Sequence, residues 1–261
     1  MPGVKVLPTE FSSGDRVLKG NFVVPDETGP FPGICKFHGL PGGPNQVSGI
    51  ATLLAQAGFL VLTFDFSGFR KSEGIFRLGR SIEDAVEAVS HLLESELSLG
   101  SWMGVYGASY GGAIGVCAAA RDPRISVVCL RAPVYDTLWF AQSSMIRPAV
   151  DNLVENNPSQ IRGIEDPETQ ELILKNLVDD AKMHNPMNEV SKISPRPLFI
   201  IHGSDDEGID LAGVKRLFEA AGEPKDLFIV EGANHVLSNP TAYEITMKSV
   251  VEWFSNISRA I

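Results

Sequence analysis

The stretch WMGVYGASYGG, residues 102–112, decides the fold of this chain. Its first five residues form an apolar run that predicts a buried strand, and the small residues 112–120 predict a helix. Between them lies Gly-x-Ser-x-Gly centred on Ser109, the strand–turn–helix arrangement that exposes a nucleophilic serine. The backbone at the tip of so sharp a turn is strained, and a Cβ atom at Gly107 or Gly111 would collide there. The alternative is an ordinary turn with a solvated serine, so the rest of the chain has to decide.

Length and composition are typical of one large α/β domain, or of one domain with an insertion. The chain has 261 residues, 44% of them hydrophobic, and a net charge of −10. Because there is no basic run, neither nucleic acid nor a membrane surface is an expected partner. The first residues lack the apolar core of a secretory signal, and no apolar run approaches membrane length, so we expect a soluble cytoplasmic protein. The cysteines lie in apolar stretches and favour buried free thiols over a disulfide or metal site: Cys35, Cys117 and Cys129.

Apolar runs alternate with amphipathic segments along most of the chain. The runs predict strands at residues 4–7, 17–24, 33–38, 59–64, 102–106, 125–130, 197–201 and 226–230. Helices are predicted at 47–57, 112–120 and 210–221, with others beginning at Ser81 (Asp84 as its capping partner), at the N-cap Asp166 and at the N-cap Asn239. Such alternation predicts a mostly parallel sheet with helices on both faces.

The alternation is interrupted once, between the sixth and seventh predicted strands. More than sixty residues separate these strands, whereas a crossover needs about 20 to 30. We therefore predict a core of residues 1–132 and 196–261 and an inserted cap or lid of residues 133–195. The large apolar side chains of the insertion either line a pocket or merely anchor the insertion to the core, and the pattern favours neither. They are Tyr135, Trp139, Phe140, Met145, Ile146, Met183 and Met187.

Ligands of such sheets bind beyond the carboxyl ends of the strands, where four polar or glycine-rich segments lie: 38–43, 107–111, 202–206 and 232–235. A nucleophilic serine needs a base, and the base needs an orienting acid. His235 is the best candidate for the base, because the loop after the last strand can reach the turn at Ser109. His91 is expected to be solvated on its helix. The acid is expected in the loop after the predicted strand 197–201. There the residues alone leave Asp205, Asp206 and Glu207 open as candidates.

An acyl-transfer site also needs backbone N–H groups where negative charge develops on the carbonyl oxygen. The amide of Tyr110, directly after the serine, is one candidate. The glycine-rich loop 38–43 supplies the second, and Leu40 is favoured because Pro41 has no N–H. The alternative for this loop is a simple tight connection.

Five motifs together resemble the α/β-hydrolase-fold serine hydrolases from about residue 17 to the end of the chain. They are HGLPGG (38–43), FDFSGFRKSEG (64–74), GASYGG (107–112), HGSDD (202–206) and GANH (232–235). The resemblance implies a catalytic triad of Ser109, Asp206 and His235, with the amides of Leu40 and Tyr110 as the oxyanion hole. It selects Asp206 from the three acids. It also implies an eight-stranded sheet with an antiparallel second strand, and a cap after the sixth strand.

Within that fold the chain is similar to dienelactone hydrolases, feruloyl esterases and the catalytic domains of prolyl-oligopeptidase-like enzymes. It departs from dienelactone hydrolases, which carry a cysteine at the position of Ser109, and it shows no propeller domain. The expected activity is hydrolysis of carboxylic esters with short to medium acyl chains, through an acyl-enzyme. The expected partner is a small-molecule ester, with no cofactor and no metal, and a homodimer remains open. Asp65, Ser67 and Arg70 are interpreted as structural.

Four alternatives stand beside the esterase. A peptidase or a thioesterase would use the same triad. A non-catalytic binding protein could keep the fold, since fold alone does not fix function. A dinucleotide-dependent oxidoreductase is disfavoured, because no two glycines in the chain are spaced as Gly-x-Gly.

Overall fold

The computed structural model describes residues 3–42 and 46–260. Its centre is an eight-stranded sheet of order β1-β2-β4-β3-β5-β6-β7-β8. β1 pairs antiparallel with β2, and β2 antiparallel with β4, whereas the remaining pairs are parallel. The strands are β1 (Val4–Ser13), β2 (Arg16–Pro25), β3 (Phe31–Phe37), β4 (Leu60–Phe64), β5 (Ser98–Ala108), β6 (Val127–Arg131), β7 (Leu198–Gly203) and β8 (Lys225–Val230). The α/β-hydrolase fold predicted from the sequence is confirmed.

Helices cover both faces of the sheet. They are α1 (Ile50–Gln56), α2 (Leu78–Glu94), α3 (Tyr110–Ala119), α4 (Thr137–Gln142), α5 (Ile146–Asn156), α6 (Pro167–Met183), α7 (Pro186–Glu189), α8 (Leu211–Ala220) and α9 (Pro240–Ala260). The apolar faces of α1 and α9 pack on one side of the sheet, and those of α2, α3 and α8 on the other. Across the described ranges, no helix combines the length and apolarity that a bilayer crossing requires.

The four helices α4 to α7 lie between β6 and β7, where the sequence predicted an insertion. α6 begins as its sequence indicates. The Asp166 side chain accepts a hydrogen bond from the Thr169 amide at 3.0 Å, and Pro167 occupies the first turn. The buried residues Ile146, Val150, Ile173 and Leu177 of α5 and α6 join the same core cluster as α2 and α3. The insertion is thus packed against the core rather than extended from it.

The start of α2 differs from the sequence prediction. The helix begins at Leu78, and Ser81 lies inside it, with its hydroxyl bonded to the Arg77 carbonyl. Asp84 does not cap the helix. Its carboxylate is fully buried and accepts hydrogen bonds from the amide and hydroxyl of Ser67, at 2.7 and 3.0 Å. The prediction was wrong because a capping pattern is local, whereas the partner of Asp84 comes from the loop after β4.

His91, expected to be solvated, is half-buried on α2. Its ring stacks on Phe11 and Phe22, with centroid distances of 4.9 and 5.4 Å, and its Nε2 lies 2.8 Å from the hydroxyl of Thr9. The β1–β2 hairpin supplies all three contacts. The expectation was wrong because β1 extends to Ser13, well beyond the predicted residues 4–7, and so reaches over this helix.

Candidate active site

Ser109 lies at the junction of β5 and α3 in a strained conformation, with φ 55° and ψ −120°. The neighbouring strand holds it there, because its amide donates to the Arg131 carbonyl at 2.9 Å. A Cβ atom at Gly111 would collide with the carbonyls of Phe37 and His38, and one at Gly107 with the backbone of Gly111. The turn therefore has the geometry that its Gly-x-Ser-x-Gly pattern predicts.

The structure brings Ser109, His235 and Asp206 into one chain of hydrogen bonds. His235 Nε2 lies 3.0 Å from Ser109 Oγ, and His235 Nδ1 lies 2.8 Å from Asp206 Oδ2. With the proton on Nδ1, the imidazole donates to the carboxylate and Nε2 is free to accept the serine proton. The three side chains come from three different strand ends, after β5, β7 and β8, which the parallel sheet places at one edge.

Asp206 is held independently of His235. Its side chain is 1% exposed, and its second oxygen, Oδ1, accepts from the amides of Gly208 and Ile209, both at 2.9 Å. Burial by itself would raise the pKa of this carboxyl group. The hydrogen bonds from His235 and the Ile209 amide outweigh burial, so the pKa of Asp206 is lowered and the group stays ionised.

The two neighbouring acids lie elsewhere. Asp205 and Glu207 are exposed, and Asp205 Oδ1 accepts from the hydroxyl of Ser204 at 2.7 Å. Of the three acids that the residues alone left open, Asp206 is the one that contacts His235 in the part of the chain described. The selection that the resemblance made therefore agrees with the position of the side chain.

Two further side chains hold the loops of the base and the acid: Arg131, which sequence reasoning did not single out, and His202, which lies in the HGSDD motif without an assigned role. Arg131, the last residue of β6, donates from Nη1 to the carbonyl oxygen of His235 at 2.6 Å. His202, which is 1% exposed on β7, contacts the Ile209 carbonyl through Nε2 at 3.0 Å. The only available signal was that each lies at the carboxyl end of a central strand. Neither touches Ser109.

His38 fixes the peptide that carries the Leu40 amide. Its Nδ1–H donates to the Gly39 carbonyl at 2.8 Å, while its Nε2 accepts from the Phe66 amide at 3.3 Å. In a trans peptide the N–H points opposite to the C=O, so holding the Gly39 carbonyl also sets the direction of the Leu40 N–H. The loop is close to the serine, since a Cβ atom at Gly39 would lie 3.3 Å from Ser109 Cβ.

The two amides expected to form an oxyanion hole are those of Leu40 and Tyr110. Neither donates to an acceptor elsewhere in residues 3–42 and 46–260, apart from bonds within helices. Tyr110 is the first residue of α3, where backbone N–H groups have no partner inside the helix. Both amides are thus available to a ligand. Gly43, the last residue of the glycine-rich motif, lies outside the described residues.

Arg70 ties the glycine-rich loop to the insertion. Its guanidinium forms an ion pair with Asp65, and it donates to the Pro41 carbonyl at 3.3 Å and to Gln160 Oε1 at 3.0 Å. Ser67, in the same loop, bonds Asp84 and Arg16. None of these contacts reaches Ser109, which agrees with the structural interpretation of Asp65, Ser67 and Arg70.

A cavity of about 370 Å³ extends from Ser109 and His235 to the insertion. Phe140, Met145 and Ile146 line it, together with apolar residues of α5 and α6. The other large side chains of the insertion serve as anchors or are exposed. Tyr135 stacks on Trp139 with a centroid distance of 4.8 Å and bonds Asp210, Met187 packs on the core, and Met183 is 74% exposed. The sequence left open whether the large apolar side chains line a pocket or anchor the insertion to the core. Some of them do the first and others the second.

Comparison with known families gives the chain its classification. The family model described as the prolyl oligopeptidase family matches residues 45–260. This chain belongs to the prolyl oligopeptidase family. Its fold and its family together make it a hydrolase of the α/β-hydrolase class.

Individual relatives are distant. The chain is 23% identical over 231 residues to the uncharacterized protein YfhR of Escherichia coli K12, covering 87% of this chain and 72% of that protein. It is 33% identical over 122 residues to acyl-coenzyme A thioesterase 3 of Mus musculus, covering 46% of this chain and 26% of that protein. Among solved structures it is similar to Est1E of Butyrivibrio proteoclasticus with bound ferulic acid. The TM-score is 0.75 at 17% identity, covering 94% and 97% of the two chains.

Metal ions and cysteine thiols are the other groups that could carry chemistry at such a site. Within the described ranges, no group of three or more His, Cys, Asp and Glu side chains is arranged to hold a metal ion. The three cysteines are buried and free, as the sequence predicts, and burial raises the pKa of each thiol. The side chain that contacts His235 Nε2 is the hydroxyl of Ser109 and not a thiol.

His38 predicts a pH dependence of stability. Burial and the nearby Arg70 cation lower its pKa to about 3, against about 6.5 in an unfolded chain. Between these values the unfolded chain binds the extra proton, so the free energy of unfolding falls as the pH is lowered, by up to about 1.4 kcal/mol per pH unit. We expect the loss to begin below about pH 6.5 and to be shallower in His38→Gln. Chemical unfolding of both proteins between pH 7.5 and 4.5 checks this, and parallel curves would contradict it.

Proposed function

We propose that this protein hydrolyses carboxylic esters through a covalent acyl-enzyme on Ser109. The observation that carries the proposal is the hydrogen-bonded series Ser109 Oγ, His235 and Asp206, with distances of 3.0 and 2.8 Å, at a strained strand-to-helix turn. A nucleophile bonded to a base, with the base bonded to an orienting acid, is the arrangement that activates a serine.

Each group has a defined role in the proposed reaction. His235 Nε2 takes the hydroxyl proton as Ser109 Oγ attacks the ester carbonyl, and the amides of Leu40 and Tyr110 donate to the oxygen that becomes negative. The imidazolium then gives its proton to the alcohol oxygen as the bond from carbon to that oxygen breaks. A water molecule, deprotonated by the same nitrogen, releases the acid and restores Ser109. Asp206 stays ionised throughout, orients the imidazole and stabilises its cation.

Peptidase and thioesterase activity are the competing functions. The family to which the chain belongs is named after a peptidase, and a segment of the chain is similar to a thioesterase. An ester is favoured because the cavity beside Ser109 is apolar and, among its described lining residues, presents no Asp, Glu, Lys or Arg to hold a charged peptide or a nucleotide.

One panel with a constant acyl group tests the choice between these functions. A butyryl group is offered as the p-nitrophenyl ester, as the thioester of N-acetylcysteamine and as the p-nitroanilide, so that only the leaving group changes. We expect the highest kcat/KM for the ester and abolition of that activity in Ser109→Ala. A higher kcat/KM for the anilide or the thioester would assign the chain to the peptidases or the thioesterases instead.

A further inference from the structure

The lining of the cavity beside Ser109 comes from two parts of the chain. Ser109, His235 and Leu40 belong to the candidate active site, and helices of the insertion supply most of the other residues. Two of these are buried, since Val150 of α5 is 7% exposed and Ile173 of α6 is 5% exposed. Apart from Ser109 and His235, the polar side chains among its described lining residues are Asn152 and Asn157.

Such a lining selects an uncharged, apolar group. A charged group would lose its hydration without gaining a partner, which is costly. An apolar chain gains about 0.8 kcal/mol for each methylene group removed from water. The cavity therefore has the chemistry of a hydrocarbon site, and one half of the ester is expected to occupy it.

The order of bond breaking indicates which half this is. The alcohol receives the proton from His235 and departs first, whereas the acyl group stays bonded to Ser109 until water attacks. Contacts between the cavity and the acyl group therefore act in both steps of the reaction, whereas contacts with the alcohol act only in the first. The acyl group is thus the half of the ester that gains most from an apolar site beside Ser109.

Resting on the proposed esterase function, we propose that this cavity binds the acyl chain, that the substrates are esters of apolar acids of about six to ten carbon atoms, and that Val150 and Ile173 set the upper limit. The length follows from the volume. A methylene group needs about the room of a water molecule, roughly 30 Å³, so 370 Å³ sets an upper bound of about twelve such groups. The ester group beside Ser109 takes part of this volume, which leaves room for a chain of about six to ten carbon atoms.

Two ester series separate the acyl chain from the alcohol. In p-nitrophenyl esters from acetate to hexadecanoate, we expect kcat/KM to rise by up to about fourfold for each added methylene group, to peak at six to ten carbons and then to fall. In acetates of alcohols from methanol to octanol, we expect only a weak dependence on length. A steep rise in the alcohol series with a flat acyl series would place the alcohol in the cavity and overturn the proposal.

Variants at Ile173 and Val150 test the limit in both directions. Ile173→Ala enlarges the cavity, and we expect the optimum to move to longer acyl chains. Val150→Phe reduces the cavity, and we expect the optimum to move to shorter acyl chains. Leu172→Ala is the matched control, because Leu172 lies next to Ile173 on α6 but is 47% exposed. Thermal unfolding of each variant shows whether it is folded.

The possible outcomes distinguish this proposal from the function on which it rests. If p-nitrophenyl acetate is hydrolysed through Ser109 but neither folded variant moves the optimum, the esterase function stands and the acyl-cavity proposal is wrong. An equal shift in Leu172→Ala would also contradict it. If no ester in either series is hydrolysed, the esterase function falls, and the acyl-cavity proposal falls with it.

Discussion

Replacement of Ser109 by alanine is expected to lower kcat for p-nitrophenyl esters by roughly 10⁵- to 10⁶-fold. The hydroxyl is the atom that forms the acyl-enzyme, and His235 has no other proton donor bonded to its Nε2 among the described residues. Alanine keeps a Cβ atom of the same size, so the turn at φ 55° should persist. Steady-state kinetics on a six-carbon ester and thermal unfolding measure the two effects separately.

The matched control is Ser101→Ala, because Ser101 lies on the same strand, β5, but is exposed and outside the site. We expect it to retain full activity. If Ser109→Ala kept more than about one hundredth of the wild-type kcat, the serine would not be the nucleophile.

The second large effect concerns the acid. Asp206→Asn should lower kcat by roughly 10³- to 10⁴-fold, because an amide can neither stabilise the imidazolium nor fix the Nδ1–H tautomer that leaves Nε2 facing Ser109. Asp205→Asn, one residue away but exposed, should stay within about tenfold of wild type. Both variants are measured with the same ester, and their thermal unfolding is recorded.

The pair of variants is informative in either direction. A crippled Asp205→Asn beside an active Asp206→Asn would move the assignment by one residue. If neither substitution mattered, the orienting acid would lie elsewhere, and Glu207, the third carboxylate of the loop, would be examined next. The structure predicts a crippled Asp206→Asn beside an active Asp205→Asn, because the hydrogen bonds from Gly208 and Ile209 to one oxygen of Asp206 aim its other oxygen at His235.

The reaction centre could be predicted from the sequence because its signals are local. The strain at Ser109 and the close approach at Gly107 and Gly111 both follow from one short motif. The positions of His235 and Leu40 follow from the rule that strand ends of a parallel sheet meet at one edge. The prediction of Asp206 needed more information, because three acids of the same loop were equally good candidates. Only the resemblance to a family distinguished between them.

Features that depend on distant contacts could not be predicted. Asp84 and His91 both lie on α2, and each was misplaced because its partners come from other elements, the loop containing Ser67 for one and the β1–β2 hairpin for the other. Each of these elements has a regular sequence pattern by itself. Which elements contact one another depends on how the sheet is assembled.

The cavity lining is a further example of the same limit. Phe140 and Trp139 are adjacent in the sequence and similar in character, yet Phe140 lines the cavity and Trp139 stacks on Tyr135. Composition identified the insertion as apolar, but only the packing of α5 and α6 over Ser109 shows which side chains face the site. The role of Arg131 was missed for the same reason, since it bonds the carbonyl oxygen of His235, 104 residues along the chain. The contact of His202 with the Ile209 carbonyl is closer in sequence, but it depends on the path of the loop between them.

The central claim is that Ser109 is an activated nucleophile, and covalent labelling tests it most directly. The protein is incubated with a fluorophosphonate, its intact mass is measured, and the modified peptide is identified by mass spectrometry. We predict one adduct per chain, on Ser109, with complete loss of esterase activity and no adduct on Ser109→Ala. An unmodified protein, or an adduct on another residue that leaves Ser109 free, would contradict the account.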